Sequence, residues 1–175
     1  MTKHATLTVC VLLALAGIAQ AQSTTTLSVS VGPEAALTVT TGTTNLTTSS
    51  TTFGSNFTGT TSLTYQIRTT KSTGTGTLSV KITTDFAGTG GPSVGTPPSS
   101  GDTLQYTCGT SAPATPCTGS VTASTASSTN VLGFGAGANS SKAGNSEAVS
   151  WALTDDPVYA TGTYTATATF TISAT

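Results

Sequence analysis

The sequence predicts an all-β fold, an antiparallel sandwich of about seven to nine strands. Runs in which every second residue is apolar recur from Thr26 to the end. No stretch beyond the first twenty-odd residues keeps a helical period, and the alternating runs are separated by Gly, Pro, Ser and Asn. Threonine fills about a quarter of the chain. Its branched Cβ suits the wet face of a strand.

The runs can be taken in order. Leu27, Val29 and Val31 alternate with serines until Gly32-Pro33 interrupts them, and Leu37 and Val39 carry a second short segment. Leu63, Tyr65 and Ile67 face one way, as do Leu78, Val80 and Ile82 beyond a turn at 71–76. Those two runs read as a hairpin. Leu104, Tyr106 and Cys108 form the next apolar face, with Val121 as a partner, and Val149, Trp151 and Leu153 form another. The phase of Trp151 with its neighbours places it in the core. The last run alternates Tyr164, Ala166, Ala168, Phe170 and Ile172 with threonines. The stretches 88–101 and 133–144 read as loops by composition. So many one-faced strands require two sheets packed on one another, in the manner of an immunoglobulin-like domain.

The first residues have a different character. Lys3 precedes an apolar run from Leu7 to Ile18, and Ala19-Gln20-Ala21 follows. A basic start, a short apolar core and an A-x-A site describe a secretory signal peptide at 1–21. The run is too short for a bilayer, which takes ~20 apolar residues. The expected mature chain is a single domain over 22–175, without a membrane span, destined for the periplasm, cell surface or exterior. Cys108 and Cys117 remain in it, and an exported pair at short spacing reads as a disulfide.

Catalytic chemistry has little to work with. The sole histidine, His4, leaves with the signal, so the serines have no imidazole base. The carboxylates Asp85, Asp102, Glu147, Asp155 and Asp156 have no aromatic cluster beside them for glycoside chemistry. The chain reads as non-catalytic and free of cofactors and metals. Asp155-Asp156-Pro157 fits a turn better than a calcium loop, which would draw on Glu147 or Asp102. The charge is slightly acidic and scattered, which gives nucleic acid no basic stripe.

The two ends resemble the secreted pilin-like families, in particular spore coat protein U-type subunits exported by chaperone–usher systems. Thr26-Leu27-Ser28-Val29-Ser30-Val31 before Gly32-Pro33 is similar to the family's amino-terminal extension. Gly162 through Ile172 is similar to its closing strand, with Gly162 fourteenth from the end. The chain departs from the pattern in lacking a penultimate tyrosine and an early cysteine. The resemblance implies a surface or filament subunit whose 22–31 segment donates a strand to a neighbour through Leu27, Val29 and Val31. It implies self-association, other surface subunits and a periplasmic chaperone as partners. A carbohydrate- or wall-binding module is the alternative, for which Phe53, Phe57, Tyr106, Phe134 and Tyr159 would have to share an exposed surface.

Overall fold

A computed structural model describes residues 24–48, 50–86, 88–109 and 112–175; the signal peptide expected at 1–21 lies outside them. Among the described residues there are nine strands and no helix. They are β1 (Glu34–Val39), β2 (Asn56–Arg68), β3 (Gly76–Thr84), β4 (Gln105–Cys108), β5 (Thr115–Pro116), β6 (Val121–Thr122), β7 (Thr129–Phe134), β8 (Asn145–Thr154) and β9 (Thr167–Ala174). One sheet has the order β1-β2-β8-β4-β6 and the other β5-β7-β3-β9, and every pairing is antiparallel. The β-sandwich expected from the alternation is therefore the fold.

The core lies between the sheets. Leu63, Tyr65 and Ile67 on β2 and Val149, Trp151 and Leu153 on β8 face Leu78, Val80 and Ile82 on β3. Burying such side chains stabilises the fold by ~1.5–3 kcal/mol each, measured against the exposed state. Aromatic edges interlock here: Tyr65 meets Phe134 at 5.3 Å and Tyr106 meets Trp151 at 5.3 Å between ring centroids. The Trp151 indole N–H donates to the buried Thr61 hydroxyl at 2.9 Å, which offsets the cost of desolvating it.

Two expectations need correction. The runs 63–68 and 78–83 are not a hairpin, because β2 and β3 belong to different sheets. Their inward faces meet across the core rather than side by side. The 69–75 connection turns this corner on fixed hydrogen bonds: Gly74 N–H donates to Thr70 O, and Thr69 Oγ1 donates to Gly135 O. A short connection with alternating runs on either side is compatible with both arrangements, so period alone does not choose between them. Residues 129–134, whose last two the composition assigns to a loop, form β7. Val131 and Leu132 are adjacent and both fully buried, because the pairing with β3 shifts register between Leu78 and Ser79. The bulge removes the alternation that would have revealed the strand.

The loop 85–96 is organised by Asp85. Its carboxylate accepts hydrogen bonds from the Ser93 hydroxyl at 2.6 Å and from the amides of Phe86, Val94 and Gly95. Partial burial pushes this carboxyl up, but those four donors outweigh it and hold it below the ordinary range. The result seats Val94 against the core at one end of the sandwich.

Candidate assembly site

β1 closes one edge of its sheet and β9 one edge of the other. The two strands come within 8 Å of each other between Cα atoms without exchanging hydrogen bonds. Among the described residues each is thus laddered on one side only, which is the situation that templates a further strand. Their inward residues are less covered than those of the central strands. Ala35 and Leu37 on β1, and Phe170, Ile172 and Ala174 on β9, are half-buried and pack on the rim of the core. Phe170 reaches Trp151 at 6.5 Å between centroids, so the rim is continuous with the centre.

The chain beyond β1 keeps hugging β2 without regular strand. Thr40 and Thr41 donate their amides to Ser62 O, and Thr47 bridges Thr58. Thr44 shares a 2.6 Å hydroxyl contact with Thr61, the acceptor of the Trp151 indole. Leu46 joins the core rim from this segment.

The closing strand begins later than the alternation predicts. Gly162, Tyr164 and Ala166 precede β9, which holds Ala168, Phe170 and Ile172. Tyr164 is drawn aside: its hydroxyl donates to Ala160 O at 2.8 Å, and its ring lies so close over Gly91 that a Cβ there would collide with it. The far end of β9 is fixed. Thr175 donates its amide to Thr75 O at 2.8 Å and accepts from Thr70 N at 2.9 Å.

The segment preceding β1 carries no strand over residues 24–33. Leu27 is 92% exposed and Val29 86% exposed, and Val31 is exposed as well. Gln22 and Ser23 of the expected 22–31 segment lie outside the described residues. The sandwich holds its own first residues through Arg68, whose Nε donates to Gly32 O at 2.7 Å and whose Nη2 pairs with Glu34 at 3.0 Å. Both partners of that ion pair are well exposed, so it directs the chain more than it stabilises the fold.

The remaining candidates lie apart from this edge. Cys108 and Cys117 form a disulfide with 5.6 Å between Cα atoms. Asp156 Oδ1 accepts the Val158 amide at 2.7 Å, the local bond of an Asx turn. Asp102 is buried and accepts from the Tyr159 hydroxyl at 3.0 Å. Desolvation and the neighbouring Asp156 raise its pKa, and burial together with Asp102 raises that of Tyr159. Of the five aromatics a sugar platform would need, Tyr106 and Phe134 are core residues, Phe57 and Tyr159 are half-buried, and Phe53 is exposed. They do not form one surface. Among the described residues, no helix is long and apolar enough to cross a membrane. No protein-family model, curated protein or solved structure matches this chain.

The resemblance of the two ends implies an assembly set of Leu27, Val29, Val31 and the last strand, without β1. Only the folded chain reveals that Ala35 and Leu37, on the edge strand of one sheet, lie beside the edge strand of the other, which carries Phe170 and Ile172. Their signal in the sequence is the short alternating segment at Leu37 and Val39, which says nothing of the strand that lies beside it.

Proposed function

We propose that this chain is an exported, non-catalytic structural subunit of a surface layer or filament, joined to its neighbours by strand donation. Residues 26–31 of one copy lie between β1 and β9 of another. The observation that carries this reading is a strand-patterned segment with Leu27 and Val29 almost wholly exposed, on a chain whose β1 and β9 edges are unpaired among the described residues. In the slot, Leu27, Val29 and Val31 cover Leu37, Phe170 and Ile172, each burial contributing ~1.5–3 kcal/mol. Backbone hydrogen bonds supply register.

Admitting a strand sets β1 and β9 at twice the inter-strand spacing, about 9.6 Å apart. The edges come within 8 Å of each other and must therefore part. A periplasmic chaperone that lends a strand would hold the slot open until a neighbour fills it, and the disulfide is in keeping with that compartment.

The test compares the mature chain with a version lacking Gln22–Val31. The mature chain forms oligomers in light scattering, and the truncated one is a folded monomer that binds a synthetic 22–33 peptide. A mature chain that stays monomeric at high concentration, or a truncated one that oligomerises equally well, overturns the proposal.

A further inference from the structure

The outer face of the five-stranded sheet is an array of small neutral side chains set in register. Along β2, Thr58, Thr60, Ser62 and Thr64 take the outward positions, alternating with the core residues of that strand. Strand pairing extends each of them into a row across the sheet. Thr64 stands between Thr38 on β1 and Ser146 on β8, and Thr60 is followed by Ser150 on β8 and Thr107 on β4. Ser62 lies beside Ala148, and Thr58 beside Ala152. None of these rows holds an Asp, Glu, Lys or Arg.

The hydroxyls of this face are left free. Among the described residues, those of Thr38, Ser62, Thr64, Thr107 and Ser146 have no hydrogen-bond partner in the protein. Thr60 and Ser150 meet only at 3.5 Å. The other sheet differs. On its outer face Thr77 and Ser173 bond to each other at 3.1 Å, Thr83 and Thr169 at 2.9 Å, and Lys81 sits among them. The general suitability of threonine for wet strand faces would treat the two sides alike.

The array has nearly the periods of crystalline water. Alternate residues along a strand are ~6.8 Å apart, and neighbouring strands ~4.8 Å. Oxygens hydrogen-bonded at about 2.75 Å in tetrahedral order repeat at about 7.3 Å and about 4.5 Å. Each period differs by less than about a tenth, so two or three rows stay in step before misfit accumulates. Sheet twist of ~20–25° per strand confines the match to β2, β8 and their immediate neighbours. Within that patch, hydroxyls can replace lattice oxygens while threonine methyls seat in the hollows between them. A charged side chain would hold water in orientations that the lattice does not contain. A polysaccharide platform would call for aromatic rings, and no row carries one.

We propose that the ligand of this face is ice, which the rows of β2 and β8, flanked by Thr38 and Thr107, adsorb at a growing crystal surface. The binding surface is the outside of one sheet, whereas the slot opens between the two. This activity therefore stands independently of strand donation.

The test freezes a dilute solution of the mature chain slowly onto a cold surface and measures the share of protein taken into the ice. Uptake should exceed that of an inert protein of similar size, and an annealed ice film should keep finer grains. Thr60→Lys puts a charge at the centre of the face and should lose both effects. Thr64→Lys, further along the same strand, should lose them independently. Thr171→Lys puts the same charge on the outer face of β9, opposite Ser79, and should lose neither. Urea midpoints show that the variants compared are folded.

Exclusion of the mature chain from ice overturns the proposal. So does uptake that survives both Thr60→Lys and Thr64→Lys, or that falls equally in all three variants. Retention on insoluble cellulose or chitin without uptake into ice assigns the face to a polysaccharide and overturns it too. The chain lacking Gln22–Val31 should still enter ice. Uptake that vanishes with this deletion places ice binding elsewhere than on the sheet, whereas the oligomeric state of the same deletion bears on strand donation alone.

Discussion

The Tyr106 hydroxyl, on a side chain with no exposed surface, reaches from β4 in one sheet to Asn130 on β7 in the other and donates to its carbonyl at 2.9 Å. Thr129 Oγ1 stands 2.8 Å from the same hydroxyl. The sheets are therefore joined by a directed bond as well as by apolar contact. The bond meets β7 at Asn130, beside the register shift where adjacent Val131 and Leu132 both find cover.

Tyr106→Phe keeps the ring and removes that bond. The expected loss is about 1–2 kcal/mol, with the Asn130 carbonyl left short of a donor. Urea unfolding with an unchanged slope measures it. A midpoint equal to that of the parent would show that the hydroxyl adds nothing across the sheets.

Glu147 is a carboxyl among core residues of β8, 3% exposed, with Oε1 accepting the Gly109 amide at 2.7 Å and Oε2 lacking a partner. Desolvation raises its pKa above the ordinary 4.5, against the lowering effect of the Gly109 and Ala148 amides. The folded chain thus holds the proton more tightly than the unfolded one. Its favourable contribution is complete below the ordinary value and is lost as pH rises through the raised folded one. Glu147→Gln should flatten stability in that window, followed as urea midpoint against pH. A parallel decline in both proteins would assign the pH dependence elsewhere.

Reducing Cys108–Cys117 frees a short loop that contains β5, which pairs with β7 through Thr115 and Pro116. Chain-entropy estimates for a loop of this size give about 2–3 kcal/mol. The thermal midpoint should fall on reduction while the far-ultraviolet strand signal persists below it. An unchanged midpoint would show that β5 and the sheet hold the loop unaided.

Placing a charge on the donated face tests its burial. Val29→Asp should leave the monomer's stability unchanged within about 0.5 kcal/mol, because Val29 is exposed there. It should nevertheless abolish oligomers, since a carboxylate would be desolvated beside Phe170. Ser28→Asp, one residue out of phase, should be tolerated. Equal effects of the two substitutions would remove the idea of a one-faced inserted strand.

How much of the fold is legible in the sequence varies from strand to strand. β2, β3 and β8 were readable because one face of each is buried along most of its length, which imposes strict alternation. β7 was not, because a bulge puts two neighbours inward at once. β9 was placed but begins late, since Tyr164 leaves the alternation to cover Gly91. The donor residues stood out by pattern, whereas their slot did not, because it is made of two edges distant in the chain.

Taken alone, the order of residues decided which side chains avoid water and that two layers must enclose them. Burial depends on local phase, and phase is written along the chain. Which layer each strand joins, and hence that β1 and β9 are left side by side, was decided by tertiary packing. Those features come from contacts between distant segments, for which a two-residue period carries no information.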